Sequence, residues 1–460
     1  MEYIYMNEVN DIQALRKHKN FIIKCIAVLI ISATVFALSL SGIVNIVSSP
    51  QDKAPQKEQS SSEDKPQSGS AEKEEEKIKK VASATVVNTG DILIHNPVLA
   101  GAKKSDGSYD FSKLFKQAAP YFKKADLAVA NLEVSLGGTQ SGSYVGYPAF
   151  NTPDELIDDL KVAGVNMLLT ANNHCYDTGL FGLQRTVQML KEKGVPYTGT
   201  RESDTEPKFI VKDVNGIKIG MACYTYATSP SSGRLAINGA TIKTEANALI
   251  NTFCYDKLDA FYTEAQQVMT DMKAQGAECT VFYMHWGNEY KLYPNEYQKT
   301  MAQKLCDMGV DVIVGGHPHV IQPIDLLYAQ GSEHTTVCLY SMGNAVSNQR
   351  REELTGLCTT GHTEDGLLFS YTFDKYSDGS VVLSGVDVIP LWVNKVGSRY
   401  DADYTMYPLE KPDDGAQKYG LSGNAAALSK ESYGRTKDIL AQGLTKCQQA
   451  LGCTVRFAEN

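Results

Sequence analysis

The sequence predicts an α/β fold with a β-rich second half. Strand-type and helix-type patterns alternate from Val81 onward, and the segments after Thr335 read as antiparallel strands with no helix between them. With 43% hydrophobic and 21% charged residues, the 460-residue chain has ordinary globular composition, enough for one large domain or two ordinary ones.

The first 80 residues stand outside that fold. Residues 1–20 are expected to be a cytoplasmic N-terminus, 21–47 a transmembrane anchor and 48–80 a disordered linker. Cys25–Val44 is 20 residues without a charge, and as a helix that length crosses a bilayer core of about 30 Å. Arg16, Lys17 and Lys19 precede it, with Lys24 near its start, so the basic flank stays inside and the long C-terminal part is exported. A cleaved signal peptide is the alternative, but the apolar run is long and no A-x-A site follows closely. Cys25 lies at the wrong end of that run for lipoprotein processing. The linker lacks aromatics and contains one β-branched residue, Ile78, so it cannot bury a core.

The domain proper is expected over residues 81–395. Its first strand, "ASATVVNTGD", ends at Asp91, and "FSKLFKQAAPYFKKA" follows as an amphipathic helix. The strand "DLAVANLE" ends at Glu133. Thr152 is a plausible N-cap for the next helix, with Pro153 at its first position. "VNMLLTANNH" is a strand ending at His174, and residues 179–194 are a helix. Asn215-Gly216 joins two strands as a hairpin. A helix over 256–276 leads to a strand ending at His285, and a helix over 295–309 leads to the buried strand Val310–Val314 before His317 and His319. Residues 396–460 read as an appendage, a Tyr/Asp-rich loop followed by a helix from Ala425 to Leu451.

The formal net charge of −9 argues against nucleic acid as a partner. There is no CxxC, no GxxxxGK[ST] and no GxGxxG. Of the ten cysteines, all but Cys25 lie beyond the anchor, an odd number that argues against a complete disulfide framework. Cys447 and Cys453 are close enough in sequence to bridge, and most of the others read as small core residues.

The chemistry gathers at strand ends. Asp91, Glu133, Asn173 with His174, His285, and His317 with His319 each follow a strand at its carboxyl end, the edge where open α/β sheets bind ligands. Asp91 and Glu133 offer anionic oxygen, Asn173 neutral oxygen, and the histidines nitrogen. That mixed set suits manganese, iron or zinc better than calcium or magnesium. Such a set can hold two ions roughly 3.5–4 Å apart around a bridging carboxylate. His174 can point into the cleft as an acid toward a leaving group. Gly315 and Gly316 are expected to turn the chain and aim His317 and His319 at the metal. Trp286 reads as a cleft wall, and Cys175 as core packing rather than a ligand. Glu289 reads as an acid, a partner of a ligand, or a solvated helix start. Asp177 reads as a turn former, and Asn344 as a strand cap or substrate contact. His18, His334 and His362 read as isolated surface residues.

Asn173-His174, His285 and the spaced pair His317-Pro318-His319 resemble the binuclear pattern of calcineurin-like metallophosphoesterases. The whole string "NTGDILIH", "ANLEVSL", "TANNHCYDTG", "MHWGNEY", "GGHPHVIQP" and "YSMGN", spread over Ala82 to Val393, more closely resembles the CapA family, the PgsA-like proteins of poly-γ-glutamate capsule synthesis. The resemblance implies a metallophosphatase-like four-layer α-β-β-α sandwich, a binuclear divalent-metal site, and a role outside the plasma membrane with an anionic polymer or its synthase. Two departures from the phosphoesterase pattern stand out. His95 lies four residues after Asp91, where that pattern has Asp-x-His, and Asn131-Leu132-Glu133 replaces a Gly-Asp pair. Three functions follow: a metal-dependent hydrolase-like capsule protein, a non-catalytic accessory subunit, and an extracellular phosphoesterase unrelated to capsule.

Overall fold

The computed structural model describes residues 78–229, 234–398 and 402–453. The expected N-terminus, anchor and nearly all of the linker lie outside the described residues. Among the described residues, no helix is long and apolar enough to cross a membrane. They all belong to one compact unit, residues 76–460.

The fold is mixed α/β with two large sheets. In chain order the first half contains β1 (Lys80–Ile92), α1 (Asn96–Ala102), α2 (Ser112–Phe115), α3 (Ala119–Lys124), β2 (Leu127–Leu132), α4 (Glu155–Ala163), β3 (Met167–Leu169), α5 (Gly179–Glu192), β4 (Tyr197–Thr198), β5 (Ile210–Val214) and β6 (Ile217–Tyr226). A small hairpin, β7 (Ala236–Ile237) with β8 (Ala240–Thr241), and β9 (Thr252–Phe253) lead to α6 (Leu258–Ala274), β10 (Cys279–His285), α7 (Glu296–Asp307) and β11 (Val312–Gly316). The rest is β12 (Ile321–Tyr328), β13 (Thr335–Met342), β14 (Asn344–Val346), β15 (Asp365–Tyr376), β16 (Val381–Val396), β17 (Asp403–Pro408) and α8 (Gly423–Leu451).

One sheet runs β17-β16-β15-β1-β2-β3-β4, with β14 also on β1; the other runs β12-β13-β11-β10-β6-β5, with β9 on β6. Their inner faces share one core, from Val86, Val129 and Met167 on the first sheet to Met221, Val281 and Val314 on the second. The outer face of the first sheet packs Ala130 and Leu168 against Phe115, Phe122, Leu156 and Leu160 of α2, α3 and α4. The outer face of the second packs Tyr224, Phe282 and Ile313 against Phe261, Met269, Met301 and Leu305 of α6 and α7. Helices, sheet, sheet and helices therefore stack in order. Parallel strands covered on both faces must be apolar throughout, and β2, β10 and β11 are buried along their whole length.

Several expectations change at the element level. The helix expected over 111–125 breaks into α2 and α3, because Pro120 belongs in a first turn and starts a new helix. The cap of α4 is Asp154 rather than Thr152. The long strand to His174 shortens to β3, and beyond it the Asn172 side chain bonds Asn131 and the Leu132 carbonyl. The Asn215-Gly216 hairpin is present, with φ of 54° and 82°, the pair of positive values its tight turn requires.

The segment after Lys395 is integral rather than appended. β17 extends the first sheet beside β16. Tyr433, Leu440, Leu444 and Cys447 of α8 enter the core between the sheets. The nine described cysteines are free thiols, Cys447 and Cys453 included.

Candidate metal centre

A β-bulge sets the first donor. The register of β1 against β2 shifts between Thr89 and Asp91, and a bulge re-aims the side chain after it. A Cβ on Gly90 would lie 1.9 Å from the Gly343 carbonyl oxygen, so only glycine lets β1 and β14 approach here. Asp91 then faces the second sheet. Its Oδ1 accepts from Asn131 Nδ2 at 2.7 Å, and its Oδ2 accepts the His317 backbone N–H at 3.1 Å. Asn131 also reaches Glu133 Oε2 at 3.3 Å, so one amide spaces both carboxylates.

The histidines arrive from the second sheet. His285 closes β10, and its Nε2 donates to Asn173 Oδ1 at 2.7 Å. His317 and His319 follow β11, but the glycines before them do not make the turn. Gly315 and Gly316 are strand residues, and the left-handed φ values belong to His317 (93°) and His319 (56°). The glycines serve clearance. A Cβ on Gly315 would sit 1.9 Å from the Tyr340 carbonyl oxygen, and one on Gly316 would sit 2.9 Å from Asp91 Oδ1.

Asp91, Glu133, Asn173, His285, His317 and His319 therefore converge, and all are buried. Donor atoms of Glu133, His285 and His317 lie within 4.8 Å of one another; so do those of Asp91, Glu133 and His319, and those of Glu289, His317 and His319. Glu133 belongs to two of these groups. Two buried atoms at the centre, Glu133 Oε1 and His317 Nδ1, have no hydrogen-bond partner. A buried carboxylate oxygen without a donor is costly, and a cation would satisfy both atoms. The chemistry of the donor set fits a divalent metal.

The electrostatics agree with a cation position among acceptors. Burial, and then the Asp91 charge, push Glu133 well above its usual range. Burial would raise Asp91 too, but the His319 hydrogen bond and the neighbouring His285 outweigh it, and its pKa falls. Burial pushes His285 down to about 3 and His317 well below its ordinary value. Imidazoles held neutral are the form that ligates metal.

His174 sits beside this cluster and in none of its donor groups. Its Nδ1 donates to Asp177 Oδ2 at 2.8 Å, and the Phe150 ring meets it edge-on at 4.7 Å. Asp177 thus fixes an imidazole rather than only a turn, and it also accepts the Phe150 N–H. Asn344 Oδ1 faces His319 Nδ1 at 3.1 Å, which gives Asn344 a partner the sequence left open. Glu289 is exposed yet shares a donor group with His317 and His319. Trp286 is not a cleft wall: it is fully buried, with Nε1 donating to the Tyr340 carbonyl. Cys175 packs in a separate apolar cluster. His95 belongs to no donor group and stacks under Tyr147. His334 and His362 lie apart from the centre, half-buried and engaged with the Val310 carbonyl and the Thr360 hydroxyl; His18 is outside the described residues. Asn131, named in the sequence only as part of its motif with Glu133, bonds both carboxylates, and Tyr226 is a neighbour of the cluster that sequence reasoning passed over. Tyr226 lies 4.8 Å from His317, ring to ring, and only its place at the end of β6 could have flagged it.

The arrangement defines an α/β protein whose two sheets deliver a buried oxygen and nitrogen donor cluster at their carboxyl edges. Residues 85–349 match the bacterial capsule synthesis protein PGA_cap family, and the chain belongs to it. It is similar to "Capsule biosynthesis protein CapA" of Bacillus anthracis, 28% identical over 318 residues that cover 67% of each chain. It is also similar to "PGA biosynthesis protein CapA" of Bacillus subtilis strain 168, 25% identical over 311 residues covering 67% of this chain and 72% of the relative.

Proposed function

We propose that this is a membrane-anchored, extracytoplasmic metalloprotein acting in the synthesis, export or attachment of poly-γ-glutamate or a related anionic capsule polymer. The observation that carries the metal is the pair of orphaned acceptors, Glu133 Oε1 and His317 Nδ1, inside a buried ring of donors. The polymer rests on family membership and on the names of the two Bacillus relatives. The anchor and its orientation rest on the uncharged run Cys25–Val44 and its basic flank.

In this reading the layered sandwich is a metallophosphatase-like scaffold. Asp91, Glu133, Asn173, His285, His317 and His319 would hold manganese, iron or zinc. When bound, such ions supply Lewis acidity and a water acidic enough to attack near neutral pH. Asp177 fixes the ring of His174 through Nδ1, so that Nε2 of the protonated ring can pass a proton to a leaving group.

Metal content of the purified full-length protein tests the reading by mass spectrometry. Wild type should retain manganese, iron or zinc. Asp91→Ala, Asn173→Ala, His317→Ala and His319→Ala should lose most of it with circular dichroism unchanged, while His334→Ala keeps it. Wild-type protein that takes up none of the three at micromolar levels overturns the metal site. Metal-dependent turnover of a phosphoester or γ-glutamyl amide marks an enzyme, and metal without turnover marks an accessory subunit.

A further inference from the structure

Resting on that metal reading, we infer that Arg435, near the middle of α8, is a positioning residue that fixes the tautomer of His319.

The chain of contacts is short and runs from part-buried arginines to the buried His319. Arg435 Nε and Nη2 both donate to the Asp365 carboxylate at 2.7 Å, a two-pronged grip, and Nη2 also reaches the Gly361 carbonyl at 3.2 Å. These contacts clasp both ends of the turn at His362–Glu364. Arg351 holds the same turn through Glu364, with Nε and Nη2 at 3.0 and 3.1 Å, and Arg350 Nη2 lies 3.3 Å from Glu364. The carbonyl presented by the turn is that of Thr363, and it accepts Asn344 Nδ2 at 3.0 Å.

Asn344 passes the constraint on. Its Nδ2 faces the Thr363 carbonyl, the His319 carbonyl at 3.3 Å and Gln349 Oε1 at 2.9 Å. Two of these are carbonyls that can only accept, so the amide cannot flip without setting oxygen against oxygen. Asn344 Oδ1 must therefore face His319 Nδ1. The other group near that nitrogen, Asp91 Oδ2 at 3.4 Å, is also an acceptor. His319 Nδ1 accordingly carries the proton, and Nε2 keeps its lone pair, 3.9 Å from Glu133 Oε1 at the centre of the donor cluster.

Residues 350–453 lie beyond the family match, which ends at 349. The donors come from the shared family region, while the clamp that sets one of them comes from outside it.

The test uses full-length protein labelled with 15N-histidine. Arg435→Met alone would strand a buried carboxylate, so the informative variant pairs it with Asp365→Asn, which removes both charges. In wild type, the His319 resonances, assigned with His319→Gln, should show Nδ1 protonated and Nε2 bare. In the folded double variant the tautomers should mix, and manganese affinity should fall about tenfold. Arg435→Lys, which keeps the charge and loses the fork, should fall between the two. A folded double variant with the wild-type tautomer and affinity overturns the clamp. If wild type binds no manganese, the metal reading falls, and the tautomer alone decides the clamp.

Discussion

His317 and His319 hold left-handed backbone conformations that residues with a Cβ avoid, at a cost of order 1 kcal/mol each. The strain persists because β11 and the Asp91 carboxylate, which takes the His317 N–H, fix the chain around it. His317→Gly should therefore be more stable than His317→Ala by about 1 kcal/mol in urea denaturation, though both lose metal. Equal stability of the two would show that the strain is absent. The neutral histidines also set a pH dependence. His285, at about 3, and His317 titrate below the unfolded value of 6.5, so the unfolded chain takes up protons that the folded one refuses. Metal-free protein keeps this stability above pH 6.5 and loses it progressively as pH falls below that value. Glu133, whose pKa is raised by burial and by Asp91, acts with the opposite sign. Between pH 7.5 and 5.5 the chelated wild type should thus lose more stability than His317→Ala. The donors themselves are legible in the sequence, because a carboxylate or imidazole ending an apolar strand has no packing reason to be there. Which residue bears the turn is not legible, since Gly-Gly before His-Pro-His reads as a turn while its actual role is clearance.

Elements repeat the pattern. Strands and helices with strong periodicity stand where the sequence puts them, including β10, α7 and the hairpin of β5 and β6. Where the reading slips, local chemistry differs from the pattern: Pro120 splits a helix, and the strand expected to reach His174 stops at Leu169. The short strand β17 is hidden because its Tyr/Asp-rich sequence is half exposed, as an edge strand's should be. In α8, Gly443 is the point of closest approach, where an added Cβ would lie 1.8 Å from the Ile324 carbonyl oxygen of β12. Gly443→Val should therefore force the helix off that strand and destabilise the protein by about 1–3 kcal/mol. Gly434→Ala in the same helix, with open space around it, should not destabilise. A thermal melt in which Gly443→Val matches wild type would contradict this docking.

At the scale of the whole molecule, α8 ties the two sheets, with Leu440 and Leu444 in the shared core. A chain cut after residue 420 should fail to give a cooperative unfolding transition, whereas limited proteolysis of the full chain should cut first within 48–80 and leave a core beginning near Val81. A stable, metal-binding fragment that lacks α8 would refute the first expectation, and early cleavage between Asp91 and His319 the second. The proposed anchor predicts that protease added to intact cells reaches the C-terminal region, and protection there would reverse the orientation. The strand that begins the domain bears a further consequence, for the order in which the protein is made. Asn88 of β1 bonds the Phe369 carbonyl of β15, 281 residues later, and β1 lies between β15 and β2. While the ribosome works through that interval, the strand carrying Asp91 keeps one edge open to any passing strand. Assembly of the centre is thus a late event of biogenesis, waiting for β15 to close the sheet and for the last helix to seal it.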